Sequence, residues 1–152
     1  MHRIMFICYG NICRSPMAEF MMKDLVRRKG TEKDFYIRSS ATGTEGLNLH
    51  VHYGTRKILD RLNITDYHEK VGVQLKKSDY DKYDLFIGMD RQNIVDIIDI
   101  FGGDPQNKVK SMMSFAGKNA DVADPWWTRD FEATYRDIKE GTEALYDYLY
   151  KK

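Results

Sequence analysis

Short apolar runs alternate along the chain with segments whose apolar residues recur at helical spacing. The apolar runs predict β-strands over residues 4–7, 34–38, 84–89 and 108–110. The helical spacing predicts helices just after residue 14 and over residues 51–62, 94–101 and 130–150. Strands that alternate with helices indicate an α/β fold, a three-layer domain with a central parallel sheet flanked by helices.

The junction between the first strand and the first helix is the most informative segment. Ser15 is predicted to cap the helix, and Pro16 suits its first turn, where a missing N–H costs nothing. Cys8 then lies at the carboxyl end of a parallel strand, which is the edge at which such sheets bind ligands.

Composition and charge narrow the possible functions. The chain has 152 residues, 42% of them hydrophobic, so a single domain over residues 1–152 is expected. Its 24 Lys and Arg against 23 Asp and Glu leave a net charge of +1, which predicts no nucleic-acid partner. No apolar run is long enough to cross a bilayer and the first residues resemble a strand, so we expect a cytoplasmic protein without a membrane partner.

Cys8 and Arg14 enclose a loop that contains Gly10 and Asn11. Such a loop can turn successive N–H groups inward and bind an anion, beside the positive end of the next helix dipole. Arg14 would bind two phosphate oxygens, and the positive environment would favour the thiolate of Cys8 for attack on phosphorus. The alternative is a buried strand-end thiol near a surface arginine.

Two Asp-Pro pairs offer a general acid, at Asp104 and at Asp124, and spacing alone does not choose between them. Trp126 and Trp127 favour Asp124, because flat aromatic walls would stack on a phenyl ring and form a pocket deep enough for phosphotyrosine. The alternative is a turn followed by two core tryptophans.

Metal binding is not indicated. His2, His50 and His52 form no ligand set with Cys8 or Cys13. The two cysteines also lie within one short segment, which is a poor layout for a disulfide that holds a fold together. We therefore predict no metal and no cofactor.

Residues 8–16, CYGNICRSP, resemble the N-terminal loop of the low-molecular-weight protein tyrosine phosphatases. Residues 40–43 (SATG), 88–90 (GMD) and 123–127 (ADPWW) follow in the order of that family, so the resemblance covers essentially the whole chain. It implies a phosphotyrosine protein phosphatase I-like fold with four parallel strands, no cofactor and a cysteinyl-phosphate intermediate. The implied partners are phosphotyrosine-containing proteins and, in vitro, small aryl phosphates, with a monomer or weak dimer as the acting species.

The resemblance also implies roles for individual residues. Cys8 matches the nucleophile, Arg14 the arginine that binds phosphate, and Asp124 the general acid. Asn11 and Ser15 match positions that hold the loop, and the position of Ser15 also stabilises the thiolate.

Further positions follow from the same resemblance. Cys13 matches a cysteine that forms a reversible disulfide with the nucleophile, so redox regulation is expected. Asn48 would bond to the loop, Asp90 would orient the loop or cap a helix, and His68 would support the loop or lie in solvent. Tryptophans replace the usual tyrosines, and the Arg-Gln pair that usually follows the family histidine is absent. The residues expected to bind substrate are Tyr9, Gly10, Asn11, Ile12, Cys13, Ser15, Leu47, Trp126 and Trp127.

Three other functions share parts of this pattern. Arsenate reductases of the same fold use this loop, but they need further cysteines on a mobile segment. A carrier that passes phosphate through cysteine has little use for Arg14 together with Asp124. A non-catalytic phosphotyrosine-binding module needs only the loop and the arginine.

Overall fold

The computed structural model describes residues 1–150. Their four strands form one parallel sheet. The strands are β1 (His2–Cys8), β2 (Phe35–Ala41), β3 (Leu85–Gly88) and β4 (Val109–Ser111). Their order is β2-β1-β3-β4, so β1 is interior and pairs with β2 and β3. The predicted parallel sheet is confirmed, and Cys8 lies at its carboxyl edge.

Five α-helices follow within the described residues. They are α1 (Arg14–Arg28), α2 (Tyr53–Arg61), α3 (Arg91–Phe101), α4 (Pro125–Thr128) and α5 (Phe131–Tyr150). Helices α1, α2 and α5 pack together on one face of the sheet, and α3 packs on the other face. No helix within residues 1–150 is both long and apolar enough to cross a bilayer.

The side chains of β1 alternate between the two cores. Ile4 and Phe6 face the core shared with α1 and α5, whereas Met5 and Ile7 face the core shared with α3. All four are at most 5% exposed. Burial of each such side chain contributes roughly 1.5–3 kcal/mol. The strand that carries Cys8 is therefore held from both faces.

The first helix begins one residue earlier than predicted and has a different cap. Arg14 is already helical, and Cys13 occupies the cap position without a side-chain hydrogen bond. Ser15 is the second helical residue, and its hydroxyl lies 3.0 Å from the sulfur of Cys8 instead of capping the helix. Pro16 lies in the first turn, as predicted.

Helix α4 was not predicted from the sequence. It begins at Pro125 and spans only four residues. Asp124 caps it by accepting the N–H of Trp126 at 3.0 Å, and Arg129 ends it in the left-handed conformation. The predicted end of α3 at Gly102 is confirmed, where φ is 73°.

Candidate active site

The sulfur of Cys8 lies inside the loop that joins β1 to α1. It accepts the backbone N–H groups of Asn11 at 3.3 Å and Ser15 at 3.5 Å, and the Ser15 hydroxyl lies 3.0 Å away. The side-chain amide of Asn11 donates to that hydroxyl at 2.8 Å, which leaves the hydroxyl proton for the sulfur. Three donor groups that converge on one sulfur stabilise negative charge there.

Asn11 connects the loop to a buried polar network. Its backbone is left-handed, with φ of 57°, a conformation that asparagine tolerates. Its side-chain amide donates to the hydroxyl of Ser39 at 2.9 Å, and its carbonyl accepts the N–H of Val73 at 3.1 Å. Ser39 in turn donates to the buried carboxylate of Glu19 at 2.5 Å. Ser39 and Glu19 were not predicted from the sequence.

A lysine, not a histidine, completes this network. Lys70 Nζ donates to the Ser39 carbonyl at 2.8 Å and lies 3.7 Å from Glu19 Oε1. Burial lowers the pKa of Lys70, although the Glu19 carboxylate opposes this shift. Of the two interpretations that the sequence left open for His68, the structure agrees with a position in solvent, outside this network. His68 is exposed and stacks on Tyr67, with ring centroids 4.3 Å apart.

The Arg14 guanidinium joins the loop to two carboxylates. Arg14 is 4% exposed, and its Nη2 lies 2.9 Å from Asp90 Oδ2 and 3.4 Å from Asp124 Oδ2. Its Nη1 donates to the carbonyl of Val122 at 3.2 Å. Burial opposes the charge, but the neighbouring sulfur and carboxylates raise the pKa of Arg14. The guanidinium therefore remains a cation beside the loop.

Asp90 combines both interpretations that the sequence left open. Its Oδ1 accepts the N–H of Asn93 at 2.7 Å and caps α3. Its Oδ2 contacts Arg14. The start of α3 therefore orients the arginine.

The two Asp-Pro pairs lie at different edges of the sheet. Asp124 faces Arg14 with one carboxylate oxygen and caps α4 with the other. Asp104 precedes β4, where it accepts the Tyr80 hydroxyl at 2.6 Å and two backbone N–H groups at 2.8 and 3.0 Å. The fold brings Asp124, not Asp104, to the Cys8 loop.

Trp126 and Trp127 project from α4 beside Asp124. They are 68% and 78% exposed. The alternative in which they are core residues is therefore wrong. Two exposed indoles next to a carboxylate provide flat surfaces on which an aromatic ring can stack.

Tyr9 lies at the surface, where its side chain contacts Gly43 and Glu45. A Cβ atom at Gly43 would lie 2.6 Å from the Tyr9 ring, so the ring packs directly on this glycine. The Tyr9 hydroxyl donates to the carboxylate of Glu45. Ile12 is half-buried, and its carbonyl accepts the N–H of His52 at 2.8 Å.

Residues 44–49 pack against the backbone of the Cys8 loop. A Cβ atom at Gly46 would lie 1.9 Å from the carbonyl oxygen of Gly10, so the two backbones touch. Leu47 is half-buried and pairs with Gly72 in an isolated parallel bridge. Asn48 is exposed, and it bonds to Gly72 through its backbone N–H at 3.0 Å. Within the described residues, its side chain does not make the predicted bond to the loop.

Both cysteines are free thiols: Cys13 is half-buried and Cys8 is buried. Burial and the nearby charge of Cys8 raise the pKa of Cys13 to about 12, so it is a neutral thiol at physiological pH. Its carbonyl accepts the hydroxyl of Thr55 at 3.1 Å, which ties the loop to α2. No cluster of three or more metal-ligating side chains occurs within residues 1–150.

Known proteins are similar to this chain along nearly its whole length. Residues 3–152 match the family described as low molecular weight phosphotyrosine protein phosphatase. Low molecular weight protein-tyrosine-phosphatase YfkJ of Bacillus subtilis is 34% identical over 151 residues, which are 98% of this chain and 96% of the relative. PtpA of Staphylococcus epidermidis, a protein of the same description, is 34% identical over 152 residues, with 99% and 96% covered.

Solved structures show the same architecture. The crystal structure of YfkJ superimposes with a TM-score of 0.94 at 34% identity and covers 99% of this chain and 96% of its own. The low molecular weight protein tyrosine phosphatase SP-PTP of Streptococcus pyogenes superimposes with a TM-score of 0.88 at 33% identity, covering 98% and 93%. The family match over residues 3–152, together with 34% identity to relatives that are covered almost in full, shows that this chain belongs to the low molecular weight protein tyrosine phosphatase family.

Proposed function

We propose that residues 1–152 act as one domain that hydrolyses phosphotyrosine in proteins, and aryl phosphate monoesters, through a cysteinyl-phosphate intermediate. The proposed reaction uses no metal and no cofactor. One observation carries it: the hydrogen-bonded sulfur of Cys8 lies in the same loop as the buried Arg14, which contacts Asp124 at 3.4 Å. Nucleophile, phosphate-binding cation and proton donor are thus neighbours.

In the first half-reaction, phosphate oxygens bind the loop N–H groups and Arg14. The sulfur of Cys8 attacks phosphorus, and the S–P bond forms as the bond from phosphorus to the phenol oxygen breaks. The protonated carboxyl of Asp124 gives its proton to that oxygen, so a neutral phenol leaves. Phosphate replaces Asp124 as a partner of Arg14, which frees the carboxyl to face the leaving group.

In the second half-reaction, water attacks the phosphocysteine. Asp124, now a carboxylate, takes a proton from the water as the new P–O bond forms and the S–P bond breaks. Cys8 leaves as a thiolate, and the Ser15 hydroxyl with the two loop N–H groups stabilises its charge. Asp124 is again protonated and the enzyme is ready for the next substrate.

The aromatic rim favours phosphotyrosine over phosphoserine. The exposed Trp126 and Trp127 stack on the phenyl ring, with Tyr9, Ile12 and Leu47 as the further lining. A phosphoserine side chain is too short to reach Cys8 from this rim. The reaction needs a free thiol, so a reducing, cytoplasmic location suits it.

We also propose that Cys13 protects the nucleophile from oxidation. Peroxide should inactivate the enzyme through a disulfide between Cys8 and Cys13, and dithiothreitol should restore activity. Mass spectrometry that finds irreversible sulfonic acid at Cys8, with no disulfide, would reject this role.

Turnover of p-nitrophenyl phosphate in EDTA tests the main proposal. The wild-type protein should hydrolyse it, and Cys8→Ser should abolish turnover while the protein stays folded by circular dichroism. Binding of phosphotyrosine without turnover would identify a binding module instead. Reduction of arsenate by a thiol donor, without phosphatase activity, would favour the arsenate reductase alternative.

A further inference from the structure

A groove of about 540 Å³ opens beside the Cys8 loop. Cys13 lines it on the side of the loop, and Trp126, Trp127 and Arg129 line it on the side of α4. The groove is therefore continuous with the residues that flank Asp124. A peptide whose phosphotyrosine reaches the loop can extend across it.

The polar side chains of the groove are hydrogen-bond donors. Arg129 supplies a guanidinium and the two tryptophans supply indole N–H groups. His52 accepts the N–H of Gly54 at its Nδ1, 3.1 Å away, so the proton of the neutral imidazole is on Nε2. Among the described residues, no Asp or Glu side chain lines the groove.

Arg129 also lacks a carboxylate partner within residues 1–150. The acidic side chains next to it in the sequence are already engaged. Asp130 accepts the N–H of Ala133 at 3.1 Å, and Glu132 pairs with Arg61. The groove thus presents one unpaired positive charge and several donors, which is the complement of an anionic acceptor.

The backbone of Arg129 supports a role for its side chain. Arg129 ends α4 with φ of 58°, a left-handed conformation that usually selects glycine at the end of a helix. A long side chain is strained in that conformation and gains no local hydrogen bond from it. Among the described residues, the other non-glycine positions with positive φ are all asparagines: Asn11, Asn48, Asn63 and Asn107. Glycine would fit this backbone better, so the arginine carries a conformational cost that a function of the guanidinium would offset.

We propose that the groove binds the carboxylate of an aspartate or glutamate next to the phosphotyrosine, with Arg129 as its ion-pair partner. The proposal rests on the proposed phosphatase function and narrows its substrates to acidic phosphotyrosine segments. The rings of Trp126 and Phe131, which also line the groove, pack against the methylene groups of that side chain.

Binding by the Cys8→Ser protein tests the groove without relying on turnover. The probes are fluorescent hexapeptides that contain one phosphotyrosine. They come in pairs that differ at a single position, directly before or directly after the phosphotyrosine, where one peptide has Glu and the other has Gln. For the pair whose varied position reaches the groove, the Glu peptide should bind about fivefold more tightly than the Gln peptide. The ratio should shrink as NaCl rises from about 50 to about 500 mM, because salt screens the ion pair.

Substitutions in the same Cys8→Ser background assign the effect to one side chain. Arg129→Gln should bring the Glu to Gln ratio close to one, and Arg129→Lys should keep part of the preference. Lys33→Gln removes an equal charge from an exposed residue just before β2, at the opposite edge of the sheet, and should keep the full ratio.

A third substitution of Arg129 separates binding from a structural role. Arg129→Gly should raise the Tm, since glycine relieves the left-handed backbone, and should also lose the preference for Glu. An unchanged ratio in Arg129→Gln would overturn the proposal. The proposal would also be overturned if a peptide with a second phosphotyrosine at that position bound more tightly than the Glu peptide, because the groove would then be a phosphate site. Absence of turnover in the wild-type protein would contradict only the phosphatase function.

Discussion

Asp104 and Asp124 are both followed by proline, yet the fold gives the two carboxylates different surroundings. Asp104 is held by three donors from its own neighbourhood, namely the Tyr80 hydroxyl and two backbone N–H groups. Asp124 has one oxygen on the cap of α4 and the other on Arg14, which has Asp90 as a second partner. The first carboxylate is fixed, whereas the second shares its cation with Asp90 and, in the proposed mechanism, exchanges that partner for a substrate.

The hydrogen bonds to Asp104 also change its properties as an acid. Burial opposes ionisation of Asp104, but the hydrogen bonds from Tyr80 and from the two N–H groups lower its pKa below the ordinary value. A carboxylate so stabilised is a poor proton donor at neutral pH. The same dipeptide therefore serves the structure at one edge of the sheet and, in the proposed mechanism, chemistry at the other.

The largest expected effect is on turnover. Asp124→Ala should lower kcat by roughly 10²- to 10⁴-fold, because no other group would protonate the leaving phenolate. Asp104→Ala should change kcat less than about threefold, since its donors lie far from the reacting atoms. The loss in Asp124→Ala should be greater with phenyl phosphate than with p-nitrophenyl phosphate, whose phenol leaves more easily without a proton. Equal losses in the two variants would overturn the assignment of the acid.

The next effect is on stability, and it should have the opposite order. Asp104→Ala leaves a hydroxyl and two N–H groups without their acceptor, so the free energy of unfolding should fall by about 2 kcal/mol. Asp124→Ala removes the cap of a four-residue helix and should cost about 1 kcal/mol or less. Urea unfolding followed by circular dichroism measures both. A larger loss in Asp124→Ala would show that its carboxylate is mainly structural.

The sequence predicted the Cys8 loop because every signal there is local. The strand, the glycine and asparagine of the loop, Arg14 and the helix start lie within a few consecutive residues, and the fold keeps them together. The choice of Asp124 needed a neighbouring signal, the two tryptophans, since Asp104 carries the same dipeptide.

The support of the loop was not predictable in the same way. Glu19 is one position on a helix, and only tertiary packing brings it to Ser39 and Lys70. His68 and Lys70 lie two residues apart in a segment without periodicity, so spacing could not show which of them turns inward. Helix α4 was missed because four residues are too few for a helical pattern.

The smallest expected effect is a pH dependence that belongs to Asp104. Its pKa in the folded protein is lower than in the unfolded chain, so its contribution to stability is complete above about pH 4 and is lost as the pH falls through the lowered value. Asp104→Asn cannot titrate. The stability difference between wild type and Asp104→Asn should therefore be greatest near pH 6 and shrink below about pH 4.

Tyr80→Phe is the matched control for this pH dependence. It removes one donor to Asp104 but keeps the ring that stacks on Phe86, with centroids 5.9 Å apart. With one donor fewer, the pKa of Asp104 should move back towards its ordinary value, so less stability should be lost between about pH 4 and pH 2 than in the wild type. Urea midpoints at a series of pH values measure the three proteins together. If Asp104→Asn followed the wild-type curve at every pH, the hydrogen bonds would not be holding the carboxylate ionised, and the contrast with Asp124 would rest on position alone.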